Sequence, residues 1–578
     1  MRHSFSLSSW PLALTLSWLA AVQGQFNNPE GVDIWCGKAY RSTNASFNPG
    51  GWFEEPAKSD VPLLDLRVKP RMSIYLETDQ EASLLIDAAI SYQVGQPLPA
   101  NYTGAYSTAT SELSIDVIFN GTVIDTVAVD IGSTDVEVPL DLGQFTTSLD
   151  GLNISVQATL DGSYIYQAST ELFKLPTPEN YGSVSRLDSL YGGLWVQRDD
   201  EDWKHIFPYT YYVQWSLYWD SNITTLDDFA ALGYNVIHIV PTGTLGEKPF
   251  PWDQFEPYLD RADELGLYLQ YDVIWDYANL TGMIEQVERI RSHKSLLVWY
   301  QSDEPDGKSN PINSTGIAHQ KIRELDPYHP ASLALNCYDF YYAEYAKGAE
   351  IITPDVYPIS TNTSYSTVYD TVCNATYGCC GCDDCTGAFE DISDRLDEFR
   401  RRDDLIGWSK TQWFAPQAFG NETFWTRYPT AAEEVVMTVL AINHGAKGIV
   451  MWDYPTTAEL LNVTNHLASV FTTETIADFL LGTPRVQTLP VAGADRVDAA
   501  AWINDSTGQA LLSIVNLNYG DIGQTVEIAA PNGTNFGSVV DILWGDVAWE
   551  VEDGQTLSSS SGMLGLQVSV LLVDISTA

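Results

Sequence analysis

Between residues 209 and 452 the chain alternates between short apolar segments and longer segments with helical periodicity. The apolar segments predict strands at 209–215, 235–241, 267–275, 296–302, 331–336, 350–357, 406–414 and 448–452. The segments between and after them predict helices at 226–232, 255–265, 283–291, 317–325, 342–347, 388–402, 431–444 and 459–481. Strands and helices that alternate in this way predict an α/β fold of the TIM or (β/α)8 type, in which a closed parallel sheet is ringed by helices.

Short alternating segments, separated by Gly, Pro, Asn and Ser, lie on both sides of this region. With 578 residues the chain is too long for a single core. The predicted organisation is an N-terminal β-sandwich at 25–185, the barrel at 186–483 and a C-terminal β-sandwich domain at 484–578. The N-terminal domain carries no catalytic motif, and both a carbohydrate-binding module and a purely structural domain fit it.

The N-terminus has the pattern of a secretory signal. Residues 1–24 combine Arg2 and His3 with the apolar segment 11–21 and a small-residue site near Gly24, where we expect cleavage. Asn-X-Ser/Thr sites occur at Asn44, Asn101, Asn120, Asn153, Asn222, Asn279, Asn313, Asn362, Asn374, Asn421, Asn462, Asn504 and Asn532. So many sites, spread over the whole chain, predict a secreted, extracellular glycoprotein.

No membrane anchor is predicted. No segment after the signal is long and apolar enough for a transmembrane helix. The segment 558–575 could mimic a lipid-anchor signal, but it has no polar spacer and Asp574 lies near its end. We therefore interpret it as a last β-strand.

The charge balance restricts the partners. Asp and Glu outnumber Lys and Arg by 76 to 29, which gives a formal net charge of −47. Such a surface repels nucleic acid and anionic polymers, so we expect a neutral ligand and an acidic working pH. The 18 Trp and 31 Tyr residues suit stacking against the faces of sugars.

Five of the seven cysteines crowd into residues 373–385. The C-x2-C spacing of Cys379, Cys382 and Cys385 fits either a zinc site or disulfides. In an oxidising compartment disulfides are favoured, and we expect two in this loop. Cys36 and Cys337 are candidates for a third, which leaves one thiol over. No metal or organic cofactor is predicted.

The fourth predicted strand ends directly at Asp303 and Glu304. In a (β/α)8 barrel the carboxyl ends of the strands meet at one mouth, where active sites lie. The ends of the other strands add further candidates: Trp215, His238, Asp272, Trp275, Asn336, Asp355, Tyr357, Gln412, Trp413, Trp452 and Asp453. Carboxylates and amides bind hydroxyl groups and aromatic faces stack on C–H groups, so this set suits a carbohydrate.

Glu304 is the candidate proton donor. Cleavage of a glycosidic bond needs a protonated carboxyl group that gives a proton to the leaving oxygen. Apolar neighbours and the adjacent Asp303 should raise the pKa of Glu304 toward the working pH. The alternative interpretation is that Asp303, Glu304 and Pro305 only begin a helix, where acids are favourable.

The pattern Trp299-Tyr300-x-x-Asp303-Glu304-Pro305, followed by Asp355-x-Tyr357-Pro358, resembles secreted glycoside hydrolases with a β-sandwich before a (β/α)8 barrel. In many retaining barrels of this kind the acid/base glutamate ends strand four after an asparagine, and a nucleophilic glutamate ends strand seven. This sequence has Asp303 in place of the asparagine. Its predicted seventh strand ends in Gln412 and Trp413, without a carboxylate.

The Asp-Glu pair is also similar to β-N-acetylhexosaminidase families, one of which has an Asp-Glu-Pro motif. That resemblance implies that the acetamido group of the substrate is the nucleophile, with Asp303 orienting it, Glu304 as acid/base and Tyr357 bonding the acetamide oxygen. A third possibility is that Asp355 or Asp453 serves as nucleophile or base. The opposing class is a non-catalytic carbohydrate-binding or cell-wall protein on a barrel scaffold.

Overall fold

The computed structural model describes most of the chain after the signal segment. It covers residues 26–577 except 40, 101, 103–111, 199–200, 242–249, 275–276, 360–364, 367–368, 373, 375, 379–380, 421, 423, 426, 484–485 and 532. The predicted signal peptide and the site candidate Trp275 lie outside the described residues. So do Cys373, Cys379, Cys380 and four sequon asparagines, Asn101, Asn362, Asn421 and Asn532.

Eight parallel strands form one ring in the middle of the chain. They are β1 (Tyr209–Gln214), β2 (Val236–Val240), β3 (Tyr268–Asp272), β4 (Leu296–Ser302), β5 (Ala331–Leu335), β6 (Ile351–Pro354), β7 (Thr411–Gln412) and β8 (Ile449–Tyr454). Consecutive strands pair from β1 to β7, and β8 pairs with β1. Bridges from Phe414 to Ile449 and from Gln417 to Trp452 close the ring. The predicted (β/α)8 barrel is confirmed.

A helix follows each strand. The helices are α1 (Thr225–Ala231), α2 (Trp252–Leu265), α3 (Leu280–Ile290), α4 (Ser314–Leu325), α5 (Tyr342–Ala346), α6 (Glu390–Ile406), α7 (Ala431–Asn443), α8 (Ala458–Phe471) and α9 (Glu474–Gly482). The helix predicted at 459–481 is therefore two helices, because the chain leaves helical geometry at Thr473.

The seventh strand begins later than the sequence predicted. Helix α6 continues to Ile406 and ends at Gly407, which has the left-handed φ of 88° that favours glycine at a helix C-terminus. The strand then starts at Thr411, and its pairing with β8 extends to Gln417. Gln417, rather than Gln412 or Trp413, is thus level with the rim.

A β-sandwich precedes the barrel. One sheet has strands Glu112–Phe119, Thr122–Asp130, Leu152–Leu160 and Tyr164–Leu172, and the other has Leu63–Pro70, Glu81–Ser91, Gln96–Pro97 and Val136–Asp141. The apolar residues that alternate along both sheets form one shared core. A two-stranded parallel pair, Tyr75–Leu76 and Lys174–Leu175, lies beside it.

Two further sheets follow the barrel. One has strands Gln487–Thr488, Val497–Asn504, Gln509–Asn516, Thr534–Trp544 and Val568–Thr577, and the other has Val491–Ala492, Val526–Ala529, Glu550–Glu552 and Thr556–Ser559. Their facing side chains form a separate core. The predicted fold class, a barrel with β-sandwiches on both sides, is confirmed.

A three-stranded sheet closes the amino-terminal end of the barrel. Its strands are Ser183–Leu187, Leu194–Arg198 and Lys204–Ile206. Leu187, Leu194 and Val196 share a core with side chains from inside the barrel. The hydroxyl groups of Ser183 and Ser185 donate to the backbone oxygens of Leu296 and Leu297 at the start of β4. The carboxyl-terminal mouth is the end that this sheet leaves uncovered.

A segment at 26–54, called here the N-terminal arm, packs on the mouth. It contains a hairpin of Ile34–Trp35 and Lys38–Ala39. A disulfide joins Cys36 to Cys337, directly after β5. The buried Lys38 ammonium donates to Asp383 at 2.7 Å and to Asp384 at 2.8 Å. Burial lowers the pKa of Lys38, but the two carboxylates raise it more, so the ion pairs remain charged.

A second disulfide joins Cys382 to Cys385 in the loop after β6. The sulfur atoms of Cys382 and Cys385 are therefore not zinc ligands. No described helix has both the length and the apolar composition that crossing a membrane requires. Of the nine sequon asparagines that are described, seven are exposed: Asn120, Asn153, Asn222, Asn279, Asn313, Asn374 and Asn462.

Removing the Cys36–Cys337 disulfide should destabilise the protein more than removing Cys382–Cys385. The first bond spans 301 residues and the second spans 3, so the first restricts the unfolded chain far more. We expect the Cys36→Ser/Cys337→Ser variant to lose about 2–5 kcal/mol in urea unfolding. Its N-terminal arm should also become sensitive to protease. Equal losses in the Cys382→Ser/Cys385→Ser control would contradict this account.

Candidate active site

Asp303 and Glu304 lie at the mouth of the barrel, directly after β4. All seven residues of β4 are buried, with Trp299 packed toward the helices and Tyr300 inside the barrel. Glu304 has a left-handed φ of 44°, which costs a residue with a side chain about 1–2 kcal/mol. Such strain at the rim of a barrel is common at functional sites.

The Glu304 and Asp355 side chains are hydrogen-bonded to each other, which joins the ends of β4 and β6. Burial and the Asp303 charge raise the pKa of Glu304 to about 7, although Lys308, 3.6 Å away, lowers it. Burial and Glu304 raise the pKa of Asp355 further. Asp355 is buried, and the Glu304 side chain is 21% exposed. Two carboxyl groups in contact at such a poorly solvated site disfavour double ionisation, so the pair keeps at least one proton at neutral pH.

Asp303 has the opposite environment. The Tyr300 hydroxyl donates to its Oδ1 at 2.8 Å, and the Lys308 ammonium donates to its Oδ2 at 2.6 Å. Burial raises the pKa of Asp303, but Lys308 and Tyr300 lower it more, so it stays ionised. Neighbouring acids with opposite protonation states suit acid/base chemistry.

A buried polar layer lies beneath Asp303. The Tyr212 hydroxyl donates to the Tyr300 hydroxyl at 3.2 Å. His238 Nε2 is 2.9 Å from Asp272 Oδ2, and its ring lies 4.8 Å from that of Tyr300. His238 and Asp272 were predicted as sugar ligands, but both are fully buried. Their position supports Tyr300 and Asp303 from below.

Asn336 links the acidic pair to β5 and to the N-terminal arm. Its Nδ2 donates to Asp355 Oδ1 at 3.4 Å, and its Oδ1 accepts from Trp35 Nε1 at 2.7 Å. The buried carboxylate of Asp306 accepts from the backbone N–H groups of Gly307, Asn336 and Cys337. Burial raises the pKa of Asp306 to about 6. Asp306 thus ties the β4 turn to the end of β5.

The β7 and β8 ends bring a second acidic group near the mouth. The Trp452 ring is half-buried and lies 5.7 Å from that of Tyr212. Asp453 is 7% exposed, and its Oδ1 finds no hydrogen-bond partner among the described residues. Burial and the nearby Glu422 raise the pKa of Asp453 to about 7. Glu422 was not predicted, because the end of strand seven was placed too early.

Aromatic rings pack beside Tyr357 at the rim, where Trp425 is half-buried and Phe419 is fully buried behind it. Tyr357 lies 5.7 Å from Trp425, which stacks on Phe419 at 4.5 Å. Trp425 and Phe419 belong to the loop after β7 and were not predicted. An aromatic wall next to paired carboxyl groups is an arrangement that suits a sugar ring.

Three predicted site residues lie away from the mouth. Trp215 is buried beside α2, where it contacts Phe255 and Tyr258. Trp413 fills the barrel interior, where a side chain at Gly448 would collide with its ring. Gln412 ends β7 five residues before the rim residue Gln417, and it lines a cavity of about 330 Å³ near the closed end. In each case the direction of the side chain, which the sequence did not give, decides the placement.

A Ser-His-Asp arrangement occurs at the closed end and is structural. Ser183 Oγ is 3.1 Å from His329 Nε2, and His329 Nδ1 is 2.8 Å from Asp326 Oδ2. All three residues are buried. The Ser183 hydroxyl also donates to the Leu296 backbone oxygen at 2.7 Å. The hydroxyl is thus tied to β4 and does not face a substrate.

No protein-family model and no curated protein matches this chain. Solved structures that match include glycoside hydrolases. A β-D-glucuronidase of Dictyoglomus thermophilum is 11% identical, with 68% of this chain and 62% of that chain covered and a TM-score of 0.31. A maltogenic α-amylase of Thermotoga neapolitana is 12% identical, with 61% and 93% covered and a TM-score of 0.39.

A β-galacturonidase of Eisenbergiella tayi is also 12% identical, with 68% of this chain and 65% of that chain covered and a TM-score of 0.31. This chain therefore spans less than two thirds of the length of the glucuronidase and of the galacturonidase. Similarities this weak carry no argument about activity, which depends on the site itself.

Several acidic side chains have raised pKa values, and we therefore expect the protein to be more stable in mild acid than at alkaline pH. The pKa values of Glu304, Asp453 and Glu434 are raised to about 7, and that of Asp306 to about 6. The folded state therefore holds more protons than the unfolded chain between about pH 4 and 7, and stability is lost as the pH rises through that window.

Thermal unfolding between about pH 5 and 8 measures this effect. We expect the unfolding midpoint to fall as the pH rises. We also expect a shallower fall in Glu434→Gln, which removes one buried acid on α7. A midpoint that stays constant or rises over this range would refute the assignment.

Proposed function

We propose that this protein is a secreted glycoside hydrolase that cleaves O-glycosidic bonds of neutral or N-acetylated glycans. The observation that carries the proposal is the hydrogen-bonded pair of Glu304 and Asp355 at the open mouth of the barrel. Glu304 keeps its proton up to about pH 7 and is the general acid/base. The exposed sequon asparagines and the disulfides support secretion.

In this proposal Glu304 protonates the leaving oxygen of the scissile bond. General acid catalysis of this kind contributes about 10²–10⁴-fold to the rate. The ionised Asp303 beside it stabilises the positive charge that develops on the sugar ring. Tyr357 and the aromatic rim hold the sugar, while Lys308 keeps Asp303 ionised.

Asp355 acts on Glu304 rather than on the sugar. Paired catalytic carboxyl groups stand about 5 Å apart in retaining enzymes and about 6.5–9.5 Å apart in inverting ones. Glu304 and Asp355 are in direct hydrogen-bond contact, so no sugar carbon or water fits between them. The nucleophile is then either the acetamido group of the substrate or another carboxylate.

Asp303 suits the first mechanism. Its two oxygens accept from Tyr300 and Lys308, and a carboxylate has about four lone-pair sites, so it can still accept from an acetamido N–H. Asp453, at the end of β8, is the candidate for the second mechanism, and it would act in its deprotonated form, with a pKa that is raised to about 7. The two mechanisms differ in the substrate they require.

The alternative is a non-catalytic carbohydrate-binding or cell-wall protein on the same scaffold. One observation favours it. The two carboxylates nearest to Glu304 already have partners, Lys308 for Asp303 and Glu304 itself for Asp355. Assays of hydrolysis and of glycan binding on the same protein separate a binding protein from an enzyme.

Replacing Glu304 by Gln should abolish hydrolysis while glycans still bind. We expect kcat on aryl glycosides to fall at least about a hundredfold, because the amide cannot donate a catalytic proton. Glu434→Gln is the matched control, since Glu434 is a buried glutamate with a similarly raised pKa on α7. If wild type cleaves none of a broad panel of aryl glycosides but binds glycans, the enzyme proposal fails.

A thiazoline that mimics the N-acetyl intermediate should distinguish the two mechanisms. If the substrate's acetamido group is the nucleophile, the thiazoline should inhibit strongly, and Asp303→Asn should weaken that inhibition. Plain hexosides should then be poor substrates. Efficient cleavage of plain hexosides without thiazoline inhibition would exclude this mechanism and favour a carboxylate nucleophile such as Asp453.

A further inference from the structure

Trp35 reaches the mouth from the far N-terminal end of the described chain. Its indole ring lies against Gly307, where a Cβ would come within 2.7 Å of the ring carbon Cζ2. A Cβ at Gly378 would in turn lie 2.5 Å from the Trp35 backbone oxygen. The disulfide at the neighbouring Cys36 holds the same turn to the barrel. Trp35 is therefore seated between two loops of the mouth.

The Trp35 indole decides which way the Asn336 amide points. An indole N–H is only a donor, so the Asn336 atom 2.7 Å from it must be the oxygen. The Asn336 amide nitrogen then has to face Asp355, 3.4 Å away, as a donor. This assignment follows from hydrogen-bond chemistry, because only the amide oxygen can accept from an indole N–H.

The backbone of Asn336 is held independently of Trp35. Its N–H donates to Asp306 at 3.3 Å, and its carbonyl oxygen accepts from Arg395 at 2.8 Å. Loss of the indole N–H should therefore free the amide to turn without moving the strand end. In the reversed orientation the amide oxygen would face the Asp355 carboxyl group, which disfavours its charged form.

We infer that Trp35 is a positioning residue that fixes the Asn336 amide as a donor to Asp355 and thereby controls the proton shared by Asp355 and Glu304. The inference rests on the proposed function for its catalytic meaning. It assigns the N-terminal arm a role in the site, beyond packing on the barrel.

Other charged or titratable groups also face the pair. Asp303, Asp306 and Lys308 come from the β4 turn, and Arg395 comes from α6. Tyr212 and Tyr357 face it from β1 and β6. The Trp35 indole N–H donates to Asn336 and to none of these groups, so its loss would act on the proton equilibrium of the pair through Asn336.

The direct test is Trp35→Phe, which keeps an aromatic ring but removes the N–H. The matched control is Trp52→Phe, because Trp52 also belongs to the N-terminal arm and also donates to an asparagine, Asn48, at 3.1 Å. In an infrared titration, the band of the protonated carboxyl group of this pair is the one that is absent from Glu304→Gln. We expect the pH at which this band loses half of its intensity, its midpoint, to rise by about half to one pH unit in Trp35→Phe. The midpoint should stay unchanged in Trp52→Phe.

The double variant Trp35→Phe/Asn336→Ala shows whether Trp35 acts through Asn336. We expect Asn336→Ala alone to raise the midpoint and the double variant to match it, because coupled residues are not additive. Separate, additive shifts, or an unchanged midpoint in Trp35→Phe, would overturn the inference. In active wild type the alkaline limb of the kcat profile should move with the infrared midpoint. If the wild type hydrolyses no glycoside but Trp35→Phe still shifts the infrared midpoint, the proposed function is refuted and this inference stands.

Discussion

The hydrogen bond between Glu304 and Asp355 is the interaction on which the rest of the site depends. Asp355 is buried and Glu304 is half-buried, and two carboxyl groups in contact at such a site repel each other unless they hold a proton between them. The surroundings fit that requirement. The Lys308 ammonium forms an ion pair with Asp303, and the Asn336 amide nitrogen donates a hydrogen bond to Asp355. The site thus contains a protonated acid and an ionised acid on adjacent residues of one turn.

The fold supplies this arrangement by closing one end of the barrel and leaving the other uncovered. The three-stranded sheet at 183–206 covers the amino-terminal end, so the carboxyl ends of β4, β5 and β6 converge at the remaining mouth. The N-terminal arm then adds Trp35 from about 300 residues away in sequence, tied down by the Cys36–Cys337 disulfide. The geometry of the candidate site depends on contacts between distant parts of the chain.

The barrel and the acidic residues at the end of β4 could be predicted because each depends on a short stretch of sequence. Apolar segments of strand length alternate with capped helices, and β4 ends in adjacent acids whatever the rest of the chain does. Strand seven was misplaced because Ile406 reads equally well as the last residue of a helix or the first of a strand. Gly407 settles the choice through its left-handed φ.

The rest of the site depends on side-chain direction and on long-range contacts. Trp215 and Trp413 follow the pattern of rim aromatics, but one packs against α2 and the other fills the barrel. The sequence around Lys308 is that of an ordinary surface residue, and only the turn after Glu304 brings its ammonium group to Asp303. Trp35 carries no local signal at all, because its partner Asn336 is 301 residues away.

The most direct measurement is a crystal structure of the Glu304→Gln protein with a bound glycan. We expect a glycosidic oxygen within about 2.6–3.2 Å of the residue 304 side chain, with the sugar ring against the aromatic rim. A glycan bound only at one of the β-sandwich domains, with the barrel mouth empty, would contradict the central claim that Glu304 acts on a sugar.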